Sequence, residues 1–318
     1  MKRVIITGPT GAIGMALIEY LDSLNVQVIA VVRSDSIRKG QIKESDNIII
    51  VECSLSEMAE LPQKIKVAIQ RKKWKEDQPV DIFYHLAWEG TFGDCRNDTY
   101  LQNRNVKYAL LAVDAAAEMR CSVFIGAGSQ AEYGRFEGKL NANVPTFPEN
   151  GYGIAKLCAG QMTRIRCNQK GIKHIWTRIL SVYGPYDGSG TMVMSTIEKL
   201  LSGARAPCTK GEQMWDYLYS KDAAKMMYLL ACYGVNGKIY CLGSGAARPL
   251  KEYIEIIKNA ANSKAEIGFG DIEYSPKQVM YLCGDIREII KDTGFAPDYT
   301  FEKGIKETID WYMNPNKV

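Results

Sequence analysis

An α/β fold, with a doubly wound parallel sheet and a smaller mixed α/β C-terminal lobe, is what this sequence predicts, and three observations carry it. Along the first 180 residues, short apolar runs of strand length alternate with stretches of helical periodicity. The first run leads straight into a glycine turn, then an amphipathic stretch, then a second run, which is the order of a βαβ unit. After Leu180 the alternation gives way to turn formers and irregular elements.

Taken in order, VIIT at 4–7 is the first strand, GPTGAIG at 8–14 the turn, and a helix runs to Leu24. Ile13, Ala16, Leu17, Tyr20, Leu21 and Leu24 recur at spacings of three and four, one apolar face to lay on a sheet. VQVIAVV at 26–32 is the second strand. NIIIVEC at 47–53, VDIFYHLA at 80–87, CSVFIGA at 121–127 and KHIWTRIL at 173–180 follow, each separated from the next by a helical pattern. Strands alternating with helices imply a parallel sheet covered on both faces. The boundary is read at 180, with 181–318 as a substrate-binding lobe and the segment from Tyr217 to Leu242 returning to the first domain. Within the lobe, helices are expected near 191–203, 249–261 and 301–313.

Composition narrows the function. No segment of the 318 residues approaches the 18 or more uninterrupted apolar residues of a membrane span, and MKRVIITG is too short for a signal-peptide core, so the expected location is the cytoplasm, with no membrane partner. Nine cysteines without any C-x-x-C fit reduced thiols rather than a disulfide framework. The two histidines, His85 and His174, are too few and too far apart for a metal cluster or a Ser-His-Asp arrangement. Net charge is only +4, and the one dense basic run, RKKWK at 71–75, falls where a helix should end, so no nucleic-acid partner is expected.

Two stretches carry chemistry. Glycines 8, 11 and 14, with Thr10, Ala12 and Ile13 around them, sit between a strand and a helix whose amino terminus favours anions. That context makes the turn a dinucleotide pyrophosphate site and the first domain a Rossmann-type one. A carboxylate is expected at the end of the second strand for the ribose of NAD. This chain has Arg33 and Ser34 there, with Arg38 nearby, and an arginine suits a ribose phosphate, so NADP(H) is favoured. Asp35 leaves NAD(H) open, should the strand run two residues longer. The second stretch is GYGIAK at 151–156, where a helix puts Tyr152 and Lys156 on one face, one turn apart. A phenol works near pH 7 only if its pKa near 10 drops by roughly three units, about 4 kcal/mol, and a neighbouring cation supplies part of that.

With TGPTGAIG at 7–14, HLAW at 85–88, NV at 105–106, GSQAEYG at 128–134, YGIAK at 152–156, RILSVYGP at 178–185 and DYLYSKDAA at 216–224, the chain resembles the extended short-chain dehydrogenase/reductase family over nearly its whole length. Members include nucleotide-sugar epimerases, dehydratases and reductases. The resemblance implies a triad of Ser129, Tyr152 and Lys156, supported by Asn105 from the preceding helix, and cofactor contacts from Leu86, Ala87 and Trp88. Tyr152 would exchange a proton with the substrate oxygen, Ser129 would hydrogen-bond that oxygen, and Lys156 would lower the pKa of Tyr152 and bind the nicotinamide ribose. Tyr133 is read as either part of the site or packing.

The family's 4,6-dehydratases carry an acidic pair after the serine-equivalent position, whereas Gln130 and Ala131 stand here, which disfavours dehydration. Reduction of a 4-keto-6-deoxy sugar nucleotide is therefore the first expectation, with a nucleotide-sugar 4-epimerase retaining NAD as the alternative. A lesser alternative is a non-enzymatic NADP sensor, against which the intact Tyr152/Lys156 pair argues. Two departures concern the nucleotide: Ser181 replaces a frequent asparagine and Trp215 a frequent phosphate-gripping arginine, leaving Lys210, Arg205 and Arg248 as cationic candidates and Trp215 as a stacking surface or core. The resemblance also implies a homodimer that pairs helices near 98–119 and 152–170.

Overall fold

Valine- and isoleucine-rich runs become the strands of one sheet because both of its faces are covered and β-branched side chains fit a buried pleat. In the computed structural model, which describes residues 1–314, the first domain runs β1 (Arg3–Thr7), α1 (Ala12–Ser23), β2 (Gln27–Val32), β3 (Ile48–Glu52), α2 (Leu61–Lys72), β4 (Ile82–His85), α3 (Thr99–Glu118), β5 (Val123–Ser129), α4 (Gly151–Lys170) and β6 (Lys173–Ile179). The chain continues through β7 (Ser181–Tyr183), α5 (Met192–Leu201), β8 (Ala206–Cys208), β9 (Met214–Trp215), β10 (Tyr217–Tyr219), α6 (Ser220–Tyr233) and β11 (Ile239–Leu242), and then through β12 (Arg248–Pro249), α7 (Leu250–Ala260), β13 (Ile267–Phe269), α8 (Arg287–Thr293) and α9 (Phe301–Met313). Among the described residues no helix is long and apolar enough to cross a membrane.

Seven strands form the central sheet in the order β11-β6-β5-β4-β1-β2-β3, every neighbouring pair parallel. Alternation along β1 shows how the layers are made. Val4 and Ile6 face a core shared with α1 and α6, while Ile5 faces the opposite one, shared with α2 and α3. The chain runs outward from β1 to β3, then returns to the other side of β1 as β4. The switch point between β1 and β4 opens a crevice at the strands' carboxyl ends, where open α/β sheets bind ligands.

Strand β11 pairs with β6, and α6 packs on α1, so residues far along the chain complete the first layer. The remainder forms a second core, in which α5, α7 and α9 contribute Ile197, Ile257 and Ile305. Two carboxylates fasten this lobe. Asp216 accepts hydrogen bonds from the backbone of Ser244 (2.7 Å), Gly245 (3.1 Å) and Gly284 (3.0 Å). Asp222 accepts from the backbone of Asp298 (3.0 Å) and Tyr299 (3.1 Å). The basic run ends α2 with Arg71 and Lys72, and Trp74 is buried with its indole donating to the Asp46 carbonyl at 3.0 Å.

Candidate active site

The glycine turn is shaped by what surrounds it. Gly8 has φ +69°, and a Cβ there would lie 2.7 Å from the Ala87 nitrogen, so β1 leaves the sheet against the end of β4. A Cβ on Gly14 would meet the carbonyl oxygens of Gly8 and Pro9 at 2.6 Å, which lets α1 close on its own turn. At Gly11 the reverse holds: nothing lies within 4 Å of the Cβ position. Gly11 caps α1 without a side-chain bond, and the first turn carries no acidic residue, so free N–H groups face open room. These residues fit the pyrophosphate of a dinucleotide.

Two adjoining cavities share Gly8, Leu86 and Trp88. One, of about 550 Å³, is bounded by Thr10, Ala87, Arg33 and Ser36 and suits an adenosine. Ser34 and Arg38 do not line it, contrary to expectation. The strand ends at Val32 and the chain turns away after Arg33, so that Arg38 instead donates to the Tyr186 carbonyl at 3.1 Å. Asp35 does not line it either; it lies 3.6 Å from the Arg33 guanidinium as an exposed ion pair. The other cavity, of about 290 Å³, is lined by Gly11, Ala12, Ile13 and Gly14 on one side and by Ser129, Tyr152 and Lys156 on the other. A groove of about 640 Å³ beside β3 and α2 is larger but holds none of these groups.

Helix α4 begins at Gly151 because Asn150 caps it, its side chain accepting from the Gly153 N–H at 2.8 Å. Tyr152 and Lys156 thus share the inward face of its first turns. Ser129 is the last residue of β5, which runs two residues past its expected end. Burial raises the pKa of Tyr152, with the Ser129 hydrogen bond and the Arg96 charge pulling it back and the Glu132 charge adding to it. Lys156 is buried, and desolvation lowers its pKa to about 7 against the attraction of Glu132. Its Nζ donates to the Ala127 carbonyl at 2.5 Å and lies 3.8 Å above the Trp88 ring. The ammonium is 5.7 Å from the Tyr152 ring centre, whereas the Arg96 guanidinium is 4.4 Å from it. The cation nearest the phenol ring is therefore not the one the spacing of the motif suggests.

A family model described as "NAD dependent epimerase/dehydratase family" matches residues 4–243. The chain belongs to the NAD dependent epimerase/dehydratase family. This epimerase/dehydratase-family enzyme is 24% identical over 320 residues to CDP-abequose synthase of Salmonella typhimurium (strain LT2), covering 97% of each chain. It is 23% identical to a dTDP-glucose 4,6-dehydratase of Shigella flexneri over 99% of this chain and 94% of that one. Among solved structures, the UDP-glucose 4-epimerase of Thermus thermophilus in complex with NAD superposes with a TM-score of 0.83 at 18% identity, covering 98% and 99% of the two chains. Relatives of this epimerase/dehydratase-family enzyme thus include sugar-nucleotide dehydratases, epimerases and synthases.

In this family member Asn105 makes no hydrogen bond to Ser129, Tyr152 or Lys156. Its Oδ1 accepts from the Glu89 N–H and its Nδ2 donates to the Glu89 carbonyl, both at 3.0 Å, so it clamps the segment after β4. Gln102, unnoticed in the sequence, does the same, accepting from the Trp88 indole (2.8 Å) and donating to the Gly90 (2.8 Å) and Cys95 (2.9 Å) carbonyls. Polar residues on the inward face of a helix are the signal that could have found both. Tyr133 is buried away from the cavity, its hydroxyl donating to the Asn141 carbonyl at 2.7 Å under the Arg178 guanidinium.

Glu132, the one acid in the GSQAEYG stretch, is also turned inward. It accepts from the Ser129 N–H (2.8 Å), the Trp176 indole (3.0 Å) and the Arg178 Nε (2.7 Å). The two departures in the lobe meet each other, the Trp215 indole donating to the Ser181 hydroxyl at 2.8 Å. Arg205 is bridged to Glu266 (2.6 Å) and Asp271 (2.8 Å), and Arg248 to Glu302 (2.6 Å), so two of the three candidate cations, all but Lys210, are already paired. His85 and His174 are buried beside Thr7 and Thr163 (3.0 Å each), with burial lowering their pKa values to about 3 and about 4. Among the described residues no group of three or more His, Cys, Asp or Glu is placed to hold a metal.

Proposed function

We propose that this enzyme reduces the 4-keto group of a nucleotide-linked deoxy sugar, with NADPH as the hydride donor that leaves as NADP+ after each turnover. The observation that carries the reading is Arg33, the charged residue from the end of β2 that borders the adenosine cavity while Asp35 stays outside it. When bound, the nicotinamide supplies a hydride to the carbonyl carbon. Tyr152 gives its phenolic proton to the carbonyl oxygen and Ser129 donates a hydrogen bond to the same atom, leaving an alcohol and a tyrosinate that solvent reprotonates. Lys156, which lines the same cavity, would hold the nicotinamide ribose. Water loss needs a further acid and base; neither Gln130 nor Ala131 supplies one, and Glu132 is committed to Arg178. Solved neighbours in complex with NAD, a UDP-glucose 4-epimerase among them, favour the second reading, a 4-epimerase that keeps NAD bound.

The deciding experiment is to denature freshly purified protein, identify any nicotinamide nucleotide released, and titrate NADPH and NADH into the empty protein. Empty protein that prefers NADPH is expected, and Arg33→Ala should erode that preference roughly ten- to hundredfold, the worth of a charge-assisted hydrogen bond of about 1.5–3 kcal/mol. Stoichiometric NAD in the released fraction would replace the reductase with the epimerase.

The same reading includes a homodimer. Ile154, Met162 and Ile165 of α4 are 54%, 44% and 51% exposed, with Cys158 on the same helical stripe and Tyr100 of the adjoining α3 at 80%. Sedimentation at micromolar concentration should show a dimer that Ile154→Glu/Ile165→Glu converts to monomer; a monomeric parent would remove the dimer from the proposal.

A further inference from the structure

Tyr152 has cations on two sides, and they are held differently. Lys156 approaches from its own helix, fixed to the Ala127 carbonyl and capped by the Trp88 face. Arg96 approaches from the 3₁₀ turn Gly93–Asn97, in the segment between β4 and α3. Its guanidinium carbon lies 4.4 Å from the Tyr152 ring centre, and its Nη1 donates to the Thr91 carbonyl at 3.2 Å. Among the described residues no carboxylate pairs with Arg96.

The turn that carries Arg96 is built to stay put. Gln102 holds the Cys95 carbonyl, Asn105 holds both polar groups of Glu89, and the Asn97 side chain accepts from the Gly151 N–H at 3.1 Å. That last bond ties the turn to the residue preceding Tyr152. Thr91, to which Arg96 donates, lines the same cavity as Ser129, Tyr152 and Lys156.

We infer that Arg96 is a positioning residue of the proposed reaction: its guanidinium, stacked on Tyr152, orients the ring and stabilises the tyrosinate left when the proton departs. A guanidinium is attracted to a neutral aromatic face, and more strongly once the ring carries a full negative charge in a site shielded from water. Because Arg96 stays protonated at any working pH, it supplies that charge constantly, whereas a buried lysine can lose its own. The titratable, charged and hydrogen-bonding groups acting on Tyr152 are Lys156 from α4, Arg96 from the turn, Ser129 at the end of β5 and Glu132 in the turn just after it, with Asp187 lining the same cavity from beyond β7. Burial and Glu132 oppose ionisation; Ser129 and Arg96 favour it.

The inference rests on Tyr152 as the acid-base group, but its test needs neither sugar nor cofactor. Protein labelled with ζ-13C tyrosine is titrated by NMR, with the Tyr152 resonance assigned by its absence in Tyr152→Phe. Arg96→Gln is expected to raise the Tyr152 midpoint by about one pH unit, a tenfold loss of acidity, and Arg96→Lys to fall between it and the parent. Arg96→Met is the second neutral variant should the glutamine disturb the turn. A midpoint unchanged in the neutral variants, or a Tyr152 that stays protonated in every protein up to its unfolding pH, overturns the inference. A wrong cofactor assignment would leave the midpoint shift standing, so the two failures are distinguishable.

Discussion

Tyr152→Phe is expected to cut turnover of a 4-keto sugar nucleotide by roughly 10²- to 10⁴-fold, the usual worth of a positioned proton donor. Fold and cofactor affinity should change little, because the aromatic ring, its edge contact with Trp88 (6.1 Å between ring centres) and its stack with Arg96 all remain. Only the hydroxyl beside Ser129 disappears. Steady-state rates of NADPH oxidation, with NADPH affinity measured in parallel, separate the two quantities. Full turnover in Tyr152→Phe would end the acid-base assignment, whereas a parent protein that binds NADPH without turning over would revive the sensing role.

The largest loss of stability should come from a residue outside the cavity. Glu132→Ala leaves the Arg178 guanidinium buried at 2% exposure without its counter-charge, and deprives the Ser129 N–H and the Trp176 indole of their acceptor. Removing one partner of a buried ion pair costs about 3–5 kcal/mol, a large part of the roughly 5–15 kcal/mol that holds a domain together. Urea unfolding should show that loss. Glu132→Met/Arg178→Met should recover much of it, since an apolar pair avoids the unpaired charge. A single variant within about 0.5 kcal/mol of the parent, the range of ordinary surface changes, would show that the pair does not support the fold.

The sheet was legible because its strands are apolar runs whose length and spacing are local properties. Tyr152 and Lys156 were legible for a similar reason: four residues on one helix fix their relation before any tertiary contact forms. Arg96 was not, since GDCRN has no periodicity and its approach to Tyr152 depends on Gln102 and Asn105 holding a loop from a neighbouring helix. Glu132 reads as an ordinary surface acid until β6 is laid beside β5, which brings Arg178 and Trp176 to it from more than forty residues along the chain. Arg38 lies outside the adenosine cavity for a comparable reason. Its partner, the Tyr186 carbonyl, lies far along the chain, and nothing in the local sequence announces it. The Trp215–Ser181 hydrogen bond links the two departures from the family pattern across β9 and β7, so they read better as one substitution than as two.

Strand β11 gives the order in which the chain leaves the ribosome a physical meaning. When β6 has been synthesised its outer edge has no neighbour, and the partner strand arrives only after β7, α5 and α6 have been made. Until then the nascent sheet carries an unpaired row of backbone donors and acceptors, the kind of edge that recruits other chains. The first domain therefore cannot be finished before much of the second is present, and a gene fragment stopping at residue 180 would encode a sticky sheet rather than a free-standing nucleotide-binding module.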